Sequence, residues 1–416
     1  MTVDWALHNA EIISSGKEGL CGVVGVSGAK LADTGKGMVF DLAHDSFVYP
    51  ALINTHDHMR GNYLPRVGPK PGLFYLNWLP WDNDLKLSQT FIERSKLSPE
   101  DIYYLSAYKN LFSGVTTVND HFPQAFNKAI LPHLPLRAIE DYGLAHEASS
   151  YDLKWGDGIE IEHDRAVKHN WPFITHLAEG FDEESMSAIE TLEQLKVLDD
   201  HCLFIHCIGF SDADILKVAK AGASVSWCPA SNMFMFNVTC KIRKFLDAGI
   251  NVTLGTDSTH TGSINLFAEM QYARTLYQDL YGEQLPARTV FEMVTLNAAR
   301  AFRMQDRLGT LDEGKIADIL VLKATRDDPY ENLVDAAMAD IQLLTIAGKP
   351  VYGEMRFLAL LGDSLPEDYT AITVAQRPMF IKGDPVSLYK EARRKIGFKK
   401  ILDFLPFDLD GEENYV

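Results

Sequence analysis

From about residue 50 to 305 the chain alternates short, β-rich apolar runs with helical segments, and this rhythm restricts the fold more than any other feature. Ser98-Pro99-Glu100-Asp101 opens a helix, with Ser98 as N-cap and Pro99 in the first turn. Gly114 closes it, and Val115-Thr116-Thr117-Val118 follows as a strand. Ser211 starts another helix that ends near Gly222, ahead of a strand at 223–227. Residues 239–248 read as a helix before the strand-like Asn251-Val252-Thr253-Leu254. Strands spaced by helices predict parallel βα units, and the span is long enough for a (β/α)8 barrel.

The two ends read differently. GLCGVVGVSGAKL near the start, and LGTLDEGKIADILVLKA and IQLLTIAGKPVYGE after residue 306, are short strands punctuated by glycine turns. Residues 1–49 and 306–360 are therefore expected to form one small β-sandwich beside a barrel at 50–305. Residues 361–416 form an extension in which ITVAQRPMFIKGDP is strand-like, SLYKEARRKIG is a basic helix, and the tail is acidic.

The apolar runs end in chemically pointed residues. ALINTHDHMR places His56 and His58 at i and i+2, on one face of a strand end, where two imidazoles converge on one point. FITH ends at His176, with Glu179 three positions on; FIH ends at His206; LGTD ends at Asp257. In a (β/α)8 barrel, catalytic residues come from the C-terminal ends of several strands. Four such coincidences in order supply four imidazoles and two carboxylates, a set suited to Zn²⁺ or Fe²⁺. A carboxyl such as Glu179 has the chemistry to protonate a ring nitrogen, and a histidine such as His206 to polarise or relay.

INTHDH, THLAEG, IHCIG, CPASN (228–232), LGTDS and GTLDEGKIADILVL, in that order, resemble the amidohydrolase superfamily. The branch they look most like is the cytosine-deaminase-like aminohydrolases and chlorohydrolases, which include adenosylhomocysteine and guanine deaminases. The resemblance runs from about residue 5 to 355. It implies one divalent metal ion, Zn²⁺ or alternatively Fe²⁺, held by His56, His58, His176 and Asp257. It further implies that Glu179 and His206 act on the substrate and the attacking water, and that Asp257 shuttles a proton. No matched strand carries the lysine that bridges two metals in dihydroorotase-like relatives, which favours a single ion. Two departures stand out: Pro50-Ala51 replaces the usual Pro-Gly, and the barrel is expected to be trimmed between residues 121 and 171.

Other residues carry weaker signals. Arg60, Trp78, Trp81, His121 and His260 are candidates for substrate contact, the tryptophans because planar side chains suit a planar ring in a long loop. Ordinary packing is the competing reading for the tryptophans, and a structural ion pair for Arg60. His201 reads as a loop histidine, and Asp120 as a residue at the mouth of the barrel.

Charge narrows the partner class. With 39 basic against 57 acidic residues the net charge is −18, which repels nucleic acid and anionic membranes and favours a small-molecule substrate. Five cysteines without a C-x-x-C pair indicate neither a disulfide framework nor a thiolate zinc site. No signal peptide or membrane span is read, so a cytoplasmic protein is expected, and a homodimer only on the general prevalence of twofold assemblies. The expected activity is metal-dependent hydrolytic deamination of an aminated heterocycle. Ring-opening of a cyclic amide or imidazolone, or displacement of another leaving group as in chlorohydrolases, uses the same site. A non-catalytic metal-binding barrel is the third reading.

Overall fold

A computed structural model describes residues 4–15, 17–32, 37–362, 364–407 and 409. Eight parallel strands form two arcs in chain order. The first arc is Leu52–Asp57, Val115–Asp120 and Arg137–Ala138; the second is Gly143–Glu147, Phe173–Leu177, Cys202–His206, Ser224–Trp227 and Asn251–Leu254. Nearly every residue of these strands is buried, because helices cover the outer face while the inner faces pack on one another. The arcs meet at the end of the Asn251–Leu254 strand, where the Asp257 N–H donates to the His56 carbonyl at 3.1 Å. No ladder closes the two arcs into one continuous barrel among the described residues.

The local signals act as their chemistry dictates. Ser98 caps helix Pro99–Leu111 in a reciprocal capping box with Asp101, and Ser211 does the same with Asp214 for Asp212–Ala221. Gly114 and Gly222 take left-handed φ of 75° and 73° at the ends of these helices. The helix expected at 239–248 is shorter, Ile242–Asp247.

Two expectations need correction. The barrel, expected to be trimmed between residues 121 and 171, keeps two strands there, Arg137–Ala138 and Gly143–Glu147. What is trimmed is the helix between them, because the four intervening residues cannot form one. The chain ends also do not separate into a sandwich. Their described strands form one ten-stranded mixed sheet, in which Ile319–Lys323 pairs antiparallel with Ser46–Pro50 and so joins the C-terminal strands to the N-terminal ones. Ile319 and Val321 face a small core with Trp5, Leu7 and Val48, whereas Leu320 and Leu322 face the main core. This period-two division buries the sheet on both sides.

The extension adds strands Tyr369–Val374 and Arg377–Lys382 to that sheet and lays helix Pro385–Ile396 against Pro99–Leu111, where Lys395 pairs with Asp101 at 2.6 Å. The acidic tail at 410–416 lies outside the described residues. No helix among those described is long and apolar enough to cross a membrane. Cys202, Cys207, Cys228 and Cys240 are buried free thiols.

Candidate metal centre and cavity

Strand alternation sends His56 and Asp57 to opposite sides. The Asp57 carboxylate, fully buried, receives Lys109 Nζ and Asn110 Nδ2 at 3.0 Å each and Asn62 Nδ2 at 2.8 Å. This paired and saturated carboxylate anchors the turn between the two histidines. The ring nitrogens of His56, His58 and His176 come within 4.8 Å of one another, as do ligand atoms of His56, His206 and Asp257, and of His176, Glu179 and His206.

The hydrogen bonds decide which nitrogens are free. His58 Nδ1 meets the His121 carbonyl, and His176 Nδ1 the His146 carbonyl, each at 2.8 Å. A carbonyl only accepts, so both Nδ1 atoms carry the proton and both Nε2 atoms keep a lone pair. His206 Nδ1 is likewise engaged by Asn232 Oδ1 at 2.8 Å. Neither ring nitrogen of His56 has a hydrogen-bond partner although both are buried. Asp257 Oδ2 accepts from the Ser231 and Thr261 hydroxyls at 2.7 and 2.9 Å, while Oδ1 stands 3.8 and 3.7 Å from Nε2 of His56 and His58. Orphaned imidazole nitrogens, oriented lone pairs and a carboxylate oxygen at this spacing fit a divalent ion with bonds of about 2 Å. Carbonyls holding the far ring nitrogens are the support such ligands need.

Glycine makes room for this packing. A Cβ at Gly255 would stand 2.6 Å from His56 Cβ and 2.8 Å from Ser226 Oγ. His206 and Asp257 adopt left-handed φ of 69° and 53°, strained for residues with a Cβ and characteristic of functional strand ends.

Electrostatics follow from burial. Desolvation, and then the crowding of the rings on one another, holds His56, His121 and His176 well below the ordinary imidazole pKa. Burial also brings His146 down to about 3. Burial pushes Glu179 well above the ordinary carboxylate range, with Asp257 and Glu147 adding repulsion, which favours its protonated form. Burial alone would raise Asp257 too; His58, His206, Ser231 and the Ser258 N–H outweigh it and keep the carboxylate ionised. Glu179 Oε1 lies 3.6 Å from His206 Nε2. Two carboxyls with oppositely shifted pKa values, side by side, divide acid and base roles between them.

A cavity of about 360 Å³ is lined by His58, His176, Glu179, His206 and Asp257 together with Arg60, Trp78, Trp81 and His260. The expected loop around the tryptophans is helix Trp78–Leu87, capped by Asn77. Trp78 packs its edge on His146 with centroids 4.7 Å apart, and Trp81 Nε1 donates to the Val67 carbonyl at 2.9 Å. His121 does not line the cavity; it is buried behind His58, with Nε2 donating to the Ala145 carbonyl at 3.0 Å. Asp120 is not at the mouth but holds the turn after His58, accepting from the Met59 N–H at 2.8 Å and the Tyr103 hydroxyl at 2.7 Å. His201 lies beside Asp199 and Asp200, away from the cavity.

Cavity residues that escaped sequence reasoning include His146, Trp155 and Arg94. His146 sits near the end of Gly143–Glu147, and its one local signal is a histidine closing the short run GLAH. Arg94 has no local signal, since its partner His260 is 166 residues away in sequence.

The amidohydrolase family model matches residues 165–351. A 5-methylthioadenosine/S-adenosylhomocysteine deaminase from Syntrophobacter fumaroxidans is 30% identical over 232 residues, 52% of this chain and 53% of that protein. The chain thus spans about half the length of that relative. A protein of the same name from Pyrococcus horikoshii is 31% identical over 379 residues, covering 75% of this chain and 84% of its own length. Among solved structures, an adenosine deaminase from Xanthomonas campestris with bound zinc shares the fold at a TM-score of 0.71 and 18% identity, over 95% of this chain and 98% of that one.

Proposed function

The chain belongs to the amidohydrolase family, and from that premise we propose that it is a metal-dependent aminohydrolase that removes an exocyclic amine from a small planar heterocycle. The observation that carries the reading is Glu179, a buried carboxyl in the same cavity as Asp257 and 3.6 Å from His206 Nε2, whose burial favours the protonated form. His56, His58, His176 and Asp257 would hold the ion, zinc in the first place and Fe²⁺ as the alternative, since imidazole and carboxylate accept both. When bound, such an ion makes water acidic enough to ionise near neutral pH and polarises the attacked carbon's substituents.

The chain's own residues handle the protons. Asp257 takes the proton from the attacking water, and Glu179 gives its proton to the ring nitrogen next to the attacked carbon. His206, with Nδ1 donating to Asn232 Oδ1, presents the Nε2 lone pair as an acceptor for a proton of the attacking water. A carbon–oxygen bond forms, the amine takes the proton held at Asp257 and leaves as ammonia as the carbon–nitrogen bond breaks, and the new hydroxyl returns its proton to Glu179 as the carbonyl forms. Trp78 and Trp81 wall the ring's space. Adenosine derivatives are the first substrates to try, because the relatives' names specify them.

The test is ammonia release from zinc-loaded protein against aminated purines, pyrimidines, pterins and triazines. Glu179→Gln is expected to retain bound metal and lose at least a thousandfold in kcat, measured with any substrate that registers. A Glu179→Gln protein of normal rate, or silence across the panel with metal bound, sinks the reading.

A further inference from the structure

Arg94 ends the short helix Gln89–Arg94 and lines the cavity. Among the described residues its guanidinium has no carboxylate partner. Nη1 donates to His260 Nε2 at 2.7 Å, and the guanidinium carbon lies 4.8 Å from the centroid of Phe91. The carboxylates nearby are already engaged. Glu93, next in sequence, pairs with Lys400 at 2.8 Å, and Asp82 pairs with Lys86 at 2.5 Å. Arg60 lines the same cavity, and its described contacts are the rings of Phe126 and Phe122, at 4.4 and 5.3 Å.

Two guanidiniums without counter-ions therefore face one cavity, in a chain with 57 acidic side chains to draw on. Arg60 is exposed and keeps its water, but Arg94 is half-buried, and an unpaired cation partly withdrawn from water is costly, so a structural role would ordinarily come with a carboxylate. His260 does not neutralise Arg94. A guanidinium only donates, so the buried His260 accepts at Nε2, carries its proton on Nδ1 and is uncharged. Its effect is to fix the direction of the fork. Burial, and then repulsion from Arg60, lowers Arg94 to about 10, which leaves it cationic at neutral pH and in need of an anion.

We propose that the substrate carries an anionic substituent, a carboxylate or a phosphate, seated on Arg94 with His260 as the positioning residue and Arg60 as the second cation. The planar fork of arginine matches either oxyanion with two parallel hydrogen bonds. The ring chemistry rests on the deaminase reading, but the anion seat does not. A neutral ligand would leave the half-buried Arg94 uncompensated, so the seat favours an adenosine-like ring that carries an anionic substituent over its neutral analogue.

The experiment titrates metal-loaded protein with sodium phosphate and, separately, sodium malonate against chloride at constant ionic strength, following the thermal midpoint. Wild type is expected to show a saturable rise with at least one of the two anions, and the responding anion identifies the substituent. Arg94→Met is expected to need at least tenfold more of that anion. Arg60→Met, a change at an exposed side chain, is expected to need about threefold more and serves if Arg94→Met does not fold. No saturable response, or the same half-point in both variants as in wild type, overturns the seat and places any bound anion elsewhere. Anion binding that depends on Arg94, with no ammonia from any ring, keeps the seat and removes the deaminase reading. Ammonia release without an anion response does the reverse.

Discussion

Individual buried charges in this protein follow two policies. Asp57 and Lys109 are wholly buried and mutually paired, so their ionisation is compensated in place. Glu269 is wholly buried without a cation in contact, and burial pushes it up to about 7, with Ser263, the Ala230 N–H and more distant Arg66 offsetting part of the effect. Its folded pKa is raised above the unfolded value, so between about pH 4.5 and 7 the unfolded chain releases a proton that the folded one keeps. Stability must fall as pH rises through that window, by about 3 kcal/mol in total. Glu269→Gln, neutral throughout, is expected to abolish this slope. Denaturant titrations of both proteins at pH 5 and pH 8 check it; parallel losses in the two would refute the assignment.

At the scale of elements, the reaction centre is a property of where strands stop. The ends of Leu52–Asp57, Phe173–Leu177 and Cys202–His206, and the turn after Asn251–Leu254, were legible because each is an apolar run closed by histidine or aspartate. Gly143–Glu147 was not: five residues with one leucine, a glycine and two polar side chains lack the β-branched density that marks a strand. Helix Trp78–Leu87 was hidden by a proline and by aspartates that suggest a loop, and it forms because Asn77 caps it and Trp78 is buried. Close packing of strand ends also makes a backbone prediction. Gly255→Ala would force a methyl group into His56, so metal affinity is expected to fall at least tenfold although no ligand is changed, as read by competition with a chromogenic chelator. Unaltered affinity would show that the strand end yields.

For the molecule as a whole, sheet order was the least legible feature. Ten strands, five from each chain end, join into one sheet where Ile319–Lys323 pairs with Ser46–Pro50, and pairing between residues hundreds of positions apart leaves no local trace in the sequence. The extension was equally opaque, because the pairing of Lys400 with Glu93 and of Lys395 with Asp101 shows only once its helix is docked. Such long-range pairing predicts slow refolding. After dilution from urea, helical signal is expected to return in milliseconds and metal-binding competence over seconds or longer. Simultaneous recovery of both would contradict the sheet as the late step.

The hydrogen bond from Trp5 Nε1 to the Gly348 carbonyl spans 343 residues, and with it comes a timetable. A ribosome adding roughly 5–20 residues per second needs on the order of twenty seconds to a minute to travel that distance. Throughout it, the nascent Ser46–Pro50 strand waits without its partner from Ile319–Lys323. An unpaired strand edge is therefore exposed from the synthesis of Ser46–Pro50 until Ile319–Lys323 emerges, and yield in a cell depends on what shields that edge meanwhile.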